Sequence, residues 1–108
     1  MESIPRDIFY YETAEGKAPC RDWLDSIAGQ PIYDIVMVRL DRMERGNLGA
    51  HHAVGEGVFE LIIDFGPGYR VYFGQDGKDL VILLAGGAKG SQATDIKKAK
   101  DYWRDYNA

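Results

Sequence analysis

Large apolar side chains recur at every second position in the second half of the chain, the period expected of β-strands. From residue 57 onward one face of the first such segment is entirely apolar, with Phe59, Leu61, Ile63 and Phe65. The opposite face begins with Glu60. A Gly-Pro-Gly turn at residues 66–68 precedes a second segment, in which Arg70 and Tyr72 alternate with apolar residues. The two segments are predicted to form a hairpin.

A third strand is predicted over residues 80–85, where the side chains are apolar on both faces. Such a strand is typical of the centre of a sheet, because both of its faces must be covered. Asp76-Gly77 indicates the tight turn that leads into it. Gly86-Gly87 is predicted to end it.

The remaining apolar residues recur at three- and four-residue spacing, as on one face of a helix. Two helices are predicted to begin at Pro19 and Pro31, and a third follows a cap at Ser91 or Thr94. Their predicted buried faces are Cys20, Trp23, Leu24 and Ile27; then Ile32, Val36, Leu40 and Met43; then Ile96, Ala99, Trp103 and Tyr106. A short strand over residues 8–11 precedes all three helices.

The predicted order is β-α-α-β-β-β-α, an α+β fold of two packed layers. With 108 residues, the chain is expected to form a single domain over residues 1–108. No apolar run reaches the length of a membrane span, and the N-terminus lacks the pattern of a secretory signal. One cysteine, Cys20, excludes an internal disulfide and a cysteine-based metal cluster. A cytoplasmic location is therefore expected.

The charge balance argues against a protein that coats nucleic acid by bulk electrostatics. The formal net charge is −4 and the isoelectric point is about 5.1. Only the last 23 residues are net positive, with five basic and three acidic side chains. A small cationic site is compatible with this distribution, whereas a cationic surface is not.

Alternation along the strands places Glu60, Arg70 and Tyr72 on one face of the predicted hairpin. The glycine-rich loop at residues 86–92 adds Lys89, Ser91 and Gln92 just before a helix N-terminus, which favours an anion. Arginine, lysine and a helix start form a candidate phosphate site. An aromatic hydroxyl beside it would stack on a nucleotide base or assist proton transfer.

Each of these residues also has an ordinary structural interpretation. Arg70 would simply form a salt bridge with Glu60, and Tyr72 would be half-buried packing. Lys97 and Lys98 lie on a helix face that alternates with aspartates, as solvated faces do. His51-His52 is predicted to lie in a solvated loop, because no further ligands stand at zinc-binding spacing.

Four segments together resemble a known family. They are LDRMERGNLG (residues 40–49), VGEGVFEL (54–61), GPGYRVYF (66–73) and LLAGGAKGSQ (83–92). In this order they resemble the RelE/ParE superfamily, and within it the HigB-like addiction module killer proteins of bacterial type II toxin–antitoxin systems. The likeness extends from about Phe9 to Tyr106.

The resemblance implies a small, curved, mostly antiparallel sheet that carries two N-terminal helices. It also implies a toxin that cleaves mRNA on the ribosome without a metal or other cofactor, as an mRNA endoribonuclease. Arg70 would stabilise the phosphate, and Lys89 and Gln92 would match the family's Lys-x-x-Gln loop. Tyr72 and Glu60 are further candidate catalytic residues. Ser91, Lys97 and Lys98 are candidates for contact with RNA.

The implied partners are a helix-turn-helix antitoxin of the HigA type, the ribosome and mRNA, with no specific DNA binding by the toxin alone and no membrane. Two alternatives remain open. One is inhibition of DNA gyrase, as in the ParE branch, since fold alone does not determine function. The other is a catalytically weakened toxin that only binds its antitoxin. The acidic charge and Ile62, where relatives carry an arginine, favour the second alternative.

Overall fold

The computed structural model describes residues 4–108 as three helices and five strands joined by short loops. In chain order they are β1 (Asp7–Tyr10), α1 (Pro19–Ser26), α2 (Pro31–Glu44), β2 (His51–Gly55), β3 (Val58–Ile63), β4 (Tyr69–Asp76), β5 (Leu80–Ala88) and α3 (Gln92–Tyr106). A 3-10 turn at Lys89–Ser91 connects β5 to α3. The predicted α+β class is therefore confirmed.

The five strands form one mixed sheet in the order β1-β5-β4-β3-β2. The pairs from β5 to β2 are antiparallel, and β1 joins β5 in parallel. Parallel strands need a long connection between them. The chain provides one here, because α1 and α2 follow β1 before the antiparallel strands begin. As predicted, residues 80–85 lie in a strand that is paired on both sides.

Helices cover both faces of the sheet, so the fold has three layers and the predicted two-layer arrangement is wrong. The predicted apolar residues of α1 and α2 pack on one face, against Leu61, Val71 and Leu83 among others. Ala99 of α3 packs on the opposite face, against a second cluster that includes Tyr72 and Leu84. The second layer of helix is needed because β5 is apolar on both faces.

Strand β2 was not predicted, and it changes the element order to β-α-α-β-β-β-β-α. It pairs with β3 through a two-residue turn at Glu56-Gly57, with φ of 56° and 83°. Positive φ at both central residues is the geometry of a type I′ turn, which matches the twist of a hairpin. His51 and His52 thus lie in a strand, and the predicted loop is wrong.

Two predicted strand ends are also wrong. Gly86 and Gly87 do not end β5, which continues to Ala88 and pairs with β4. A side chain at Gly86 would lie 2.7 Å from Cδ2 of Trp23, so glycine is needed there to admit the indole ring. Strand β3 ends at Ile63, and Phe65 lies beyond it with 40% of its surface exposed.

Helix α3 is fixed to the sheet by its aromatic residues. Ser91 occupies the N-cap position, although its side chain makes no capping hydrogen bond. Of the predicted stripe, Ala99 is fully buried, whereas Ile96, Trp103 and Tyr106 are half-buried against the sheet. The Trp103 ring stacks on Tyr106 at 5.3 Å. Within residues 4–108, no helix combines the length and apolar character needed to cross a membrane.

The single thiol offers a direct test of the core. Cys20 is fully buried, and burial raises its pKa to about 12. Because the thiolate is the reactive form, we expect a disulfide reagent at pH 8 to leave Cys20 unmodified in the folded protein and to label it completely in denaturant. Absorbance of the released thiol measures both. Complete labelling of the native protein within seconds would contradict the packing of α1.

Candidate functional site

The predicted candidates on the hairpin do share a face. Glu60 pairs with Tyr72 across β3 and β4, and Ile62 pairs with Arg70. Directly opposed residues in antiparallel strands project to the same side. That side is the one covered by α3, so the N-terminus of α3 reaches these residues.

Glu60 is the centre of the cluster and is fully buried. Its Oε2 accepts a hydrogen bond of 2.6 Å from Nε2 of Gln92, at the first turn of α3. Its Oε1 lies 2.9 Å from Nε2 of His52 and 3.5 Å from Nε of Arg70. Neither of these two contacts has the geometry of a hydrogen bond, so Oε1 is a buried acceptor without a donor among the described residues.

Arg70 lies beside this buried carboxylate and is itself slightly exposed at the surface. Its side chain is 12% exposed, and its Nη1 donates a hydrogen bond of 2.9 Å to the carbonyl of Tyr69. The salt bridge with Glu60, which was the alternative interpretation of Arg70, is thus present. Its Nε, however, has no hydrogen-bond acceptor in the described part of the chain.

Lys89 and Arg70 come together around Gly68. A Cβ atom on Gly68 would lie 3.6 Å from Cδ of Lys89 and 3.7 Å from Nη1 of Arg70. The loop positions are held by a backbone hydrogen bond of 2.9 Å from Lys89 N to the carbonyl of Gly68. Lys89 is exposed and Gly68 has a φ of +92°, which favours glycine. The two predicted cations therefore lie on one side of the same turn.

Tyr72 is fully buried, so its ring cannot stack on a nucleotide base and that expectation is wrong. Burial, and then the negative charge of Glu60, raise the pKa of its hydroxyl above the ordinary value. The hydroxyl therefore stays protonated at neutral pH and cannot serve as a base. It is buried without a hydrogen-bond partner in the described part of the chain.

A second carboxylate, which the sequence did not single out, lies at the start of α3. The Ser91 hydroxyl donates a hydrogen bond of 2.5 Å to Oδ2 of Asp95, and its oxygen also lies 3.1 Å from the carbonyl oxygen of Ala88. The negative charge of Asp95 also contributes to the raised pKa of Tyr72. Arg70 and Lys89 are thus balanced by Glu60 and Asp95, and the predicted cationic site carries no net charge before His52 is counted.

The other predicted RNA contacts fall into two groups. Gln92 and Ser91 belong to the cluster, and their side chains are hydrogen-bonded to Glu60 and Asp95, although Ser91 is also exposed. Lys97 and Lys98 are exposed further along α3, and Nζ of Lys97 lies 3.5 Å from Asp101. This pairing agrees with the solvated-face interpretation.

His52 belongs to the site and was missed. It lies directly opposite Glu60 in the register of β2 and β3, with 56% of its side chain exposed. His51, its neighbour, points to the other face, where its ring lies 6.4 Å from those of Phe59 and Phe73. The Glu56-Gly57 turn was only part of the signal, because a regular two-residue hairpin there aligns residue 52 with residue 61. The register shifts by one residue between Ala53 and Gly55, and this irregularity places His52 opposite Glu60.

The arrangement suits proton transfer and the binding of an anion. An exposed imidazole beside a buried carboxylate can exchange a proton, and Arg70 with Lys89 can bind a phosphate. Within residues 4–108, no three histidine, cysteine, aspartate or glutamate side chains are grouped so as to hold a metal ion.

Comparison with known proteins adds one relative. No family model matches the chain. A curated protein of Haemophilus influenzae, described as an uncharacterized protein, is 44% identical to it over 78 residues. The aligned part covers 72% of this chain and 79% of the Haemophilus protein. The likeness thus extends over most of both proteins.

Proposed function

We propose that this chain, which belongs to the same family as the uncharacterized protein of Haemophilus influenzae, is the toxin of a type II toxin–antitoxin system with the RelE/ParE arrangement of helices and strands. In this proposal it is an mRNA endoribonuclease that acts on the ribosome without a metal. Its partners are translating ribosomes with their mRNA in the cytoplasm, and an antitoxin of the helix-turn-helix HigA type.

One observation carries the proposal: Arg70 and Lys89 flank Gly68 at the edge of the buried Glu60–Tyr72 pair. A phosphodiester at this edge would contact a guanidinium and an ammonium at once. Arginine presents planar, paired donors that match phosphate oxygens, and lysine adds a point charge. The resemblance of residues 66–73 and 83–92 to the family's segments covers both of these residues.

The chemistry that fits these groups is attack by the ribose 2′-hydroxyl on the adjacent phosphate. The nucleophile is supplied by the RNA, so the protein must position the strand, accept one proton and stabilise charge on the phosphate. Arg70 provides the charge stabilisation, and Lys89 holds the neighbouring phosphate oxygens. The products are a 2′,3′-cyclic phosphate and a 5′-hydroxyl end.

Controlled expression in a bacterial host tests this function against gyrase inhibition. We expect growth arrest, new 5′ ends within translated transcripts and no DNA-damage response. Co-expression of the product of a short adjacent helix-turn-helix gene should restore growth. Intact transcripts together with a DNA-damage response would favour the gyrase alternative, and normal growth would favour a weakened toxin.

The weakened-toxin alternative leads to a gain-of-function prediction at Ile62. This half-buried side chain pairs with Arg70 on the site face, at the position where members of the RelE/ParE superfamily usually carry an arginine. Ile62→Arg adds a cation to a site without net charge, and one charge-assisted contact worth about 1.5 kcal/mol corresponds to about tenfold in affinity for RNA. Fluorescence anisotropy with a labelled single-stranded RNA measures the change. Ile62→Gln is the uncharged control, and equal affinities for the two variants would refute the prediction.

A further inference from the structure

A catalytic base must reach the substrate, and most groups of the site cannot do so. Glu60 and Tyr72 are fully buried. Gln92 is engaged with Glu60, and the guanidinium of Arg70 and the ammonium of Lys89 are hydrogen-bond donors with no lone pair to accept a proton. His52 is different, because it is exposed and lies against the cluster.

The contact between His52 and Glu60 determines which ring nitrogen is the base. Nε2 lies 2.9 Å from Oε1 of a fully buried carboxylate, which can only accept hydrogen bonds when ionised. This acceptor favours a proton on Nε2 and leaves the lone pair on Nδ1. Oε1 lacks an aligned donor and more than half of the His52 side chain is exposed, so the ring has room to rotate into alignment with this oxygen.

The pair has the same division of roles as the carboxylate and imidazole of hydrolytic enzymes. The buried carboxylate orients the ring and stabilises the imidazolium that forms, while the ring exchanges the proton. In this chain the register of β2 and β3 brings the two side chains together, since His52 and Glu60 are directly opposed. Arg70 lies 3.5 Å from the same carboxylate oxygen, so a phosphate bound by Arg70 would be close to the imidazole.

We propose that His52 is the general base of this site and that Glu60 is its positioning residue; this inference rests on the proposed ribonuclease function. Nδ1 of His52 takes the proton of the ribose 2′-hydroxyl as its oxygen forms a bond to phosphorus. The bond from phosphorus to the 5′-oxygen breaks, and that oxygen takes a proton from water. The imidazolium then returns its proton to water.

The test uses purified full-length protein with translating ribosomes and a defined mRNA. His52→Ala should lower the rate of cleavage by about 10²–10⁴, the usual contribution of a general base. Added imidazole should restore part of the lost activity, because the exposed position leaves room for the free base. His52→Gln, which can still donate to Glu60, should remain folded and equally slow. His51→Gln, one residue away on the opposite face, is the matched control and should cleave like the wild type.

The outcomes separate this inference from the proposed function. If the wild-type protein leaves mRNA intact, the proposed function fails. If the wild type cleaves and both His52 variants cleave within a few-fold of it, the function stands and the assignment of His52 is overturned. Slow His52→Ala cleavage that imidazole does not accelerate also overturns it, since a structural or positioning role would not respond to a diffusible base.

Discussion

Replacement of Arg70 by alanine should abolish growth arrest and lower the rate of mRNA cleavage by about 10²–10³, the cost of removing one preorganised donor to a developing negative charge. The guanidinium lies beside the buried carboxylate of Glu60 at one end, and beside Gly68 and the side chain of Lys89 at the other. The rate of cleavage is measured under single-turnover conditions, with the extent of folding checked by circular dichroism.

Arg70→Ala also leaves Glu60 without its counter-charge, and breaking a buried ion pair typically costs roughly 3–5 kcal/mol. Arg70→Lys therefore provides a second variant, because it keeps the positive charge beside Glu60 but loses the planar pair of donors. It should fold and still cleave slowly. Arg45→Ala changes an exposed ion-pair residue at the C-cap of α2 and serves as the unaffected control. Wild-type cleavage by either Arg70 variant would remove the catalytic role of Arg70.

The Gly74→Ala variant should be destabilised by about 1–3 kcal/mol, the usual cost of overpacking a filled core. A Cβ atom at this position would lie 2.5 and 2.6 Å from Cε3 and Cη2 of Trp103, and the indole ring cannot give way without leaving Tyr106. For a domain of this size, 1 kcal/mol lowers the melting temperature by about 4–8 °C. Scanning calorimetry measures the shift.

Gly90→Ala is the matched control for this effect. A Cβ atom at Gly90 meets no other atom within 4 Å, so the same chemical change should leave the melting temperature almost unaltered. Because Trp103 fixes α3 on the sheet, Gly74→Ala should also weaken the contact of Gln92 with Glu60 and slow cleavage. A melting temperature equal to that of the Gly90 variant would show that the ring is not held as described.

The helices and the central strands were predictable because their apolar periodicity is strong. The four apolar residues of α2 are all buried as predicted, and β3 and β4 were placed with the correct faces. Strand β2 escaped prediction because it is an edge strand in which only Val54 is even half-buried. Gly86-Gly87 was wrongly predicted to end β5, because glycines usually break strands. Here Gly86 leaves room for the ring of Trp23 and Gly87 leaves room for Ser91 and Asp95, while the strand continues.

The site was only partly predictable, because some of its residues are brought together by local alternation and others by contacts between distant parts of the chain. Strand alternation is a local rule, and it correctly brought Glu60, Arg70 and Tyr72 to one face. The positions of His52 and Asp95 depend on which strand pairs with β3 and on how α3 begins, and neither is local. The alternation also does not show how deeply a side chain is buried. For Tyr72 it therefore left contact with a nucleotide base open beside half-buried packing, and the fully buried position excludes that contact.

The most direct test of the proposed function is the chemistry of the RNA ends. Purified protein is incubated with ribosomes translating a defined mRNA, and the fragments are analysed for their termini. Attack by the ribose hydroxyl predicts a 2′,3′-cyclic phosphate on one fragment and a 5′-hydroxyl on the other. Intact mRNA, or fragments that end in a 3′-hydroxyl and a 5′-phosphate, would contradict the proposal.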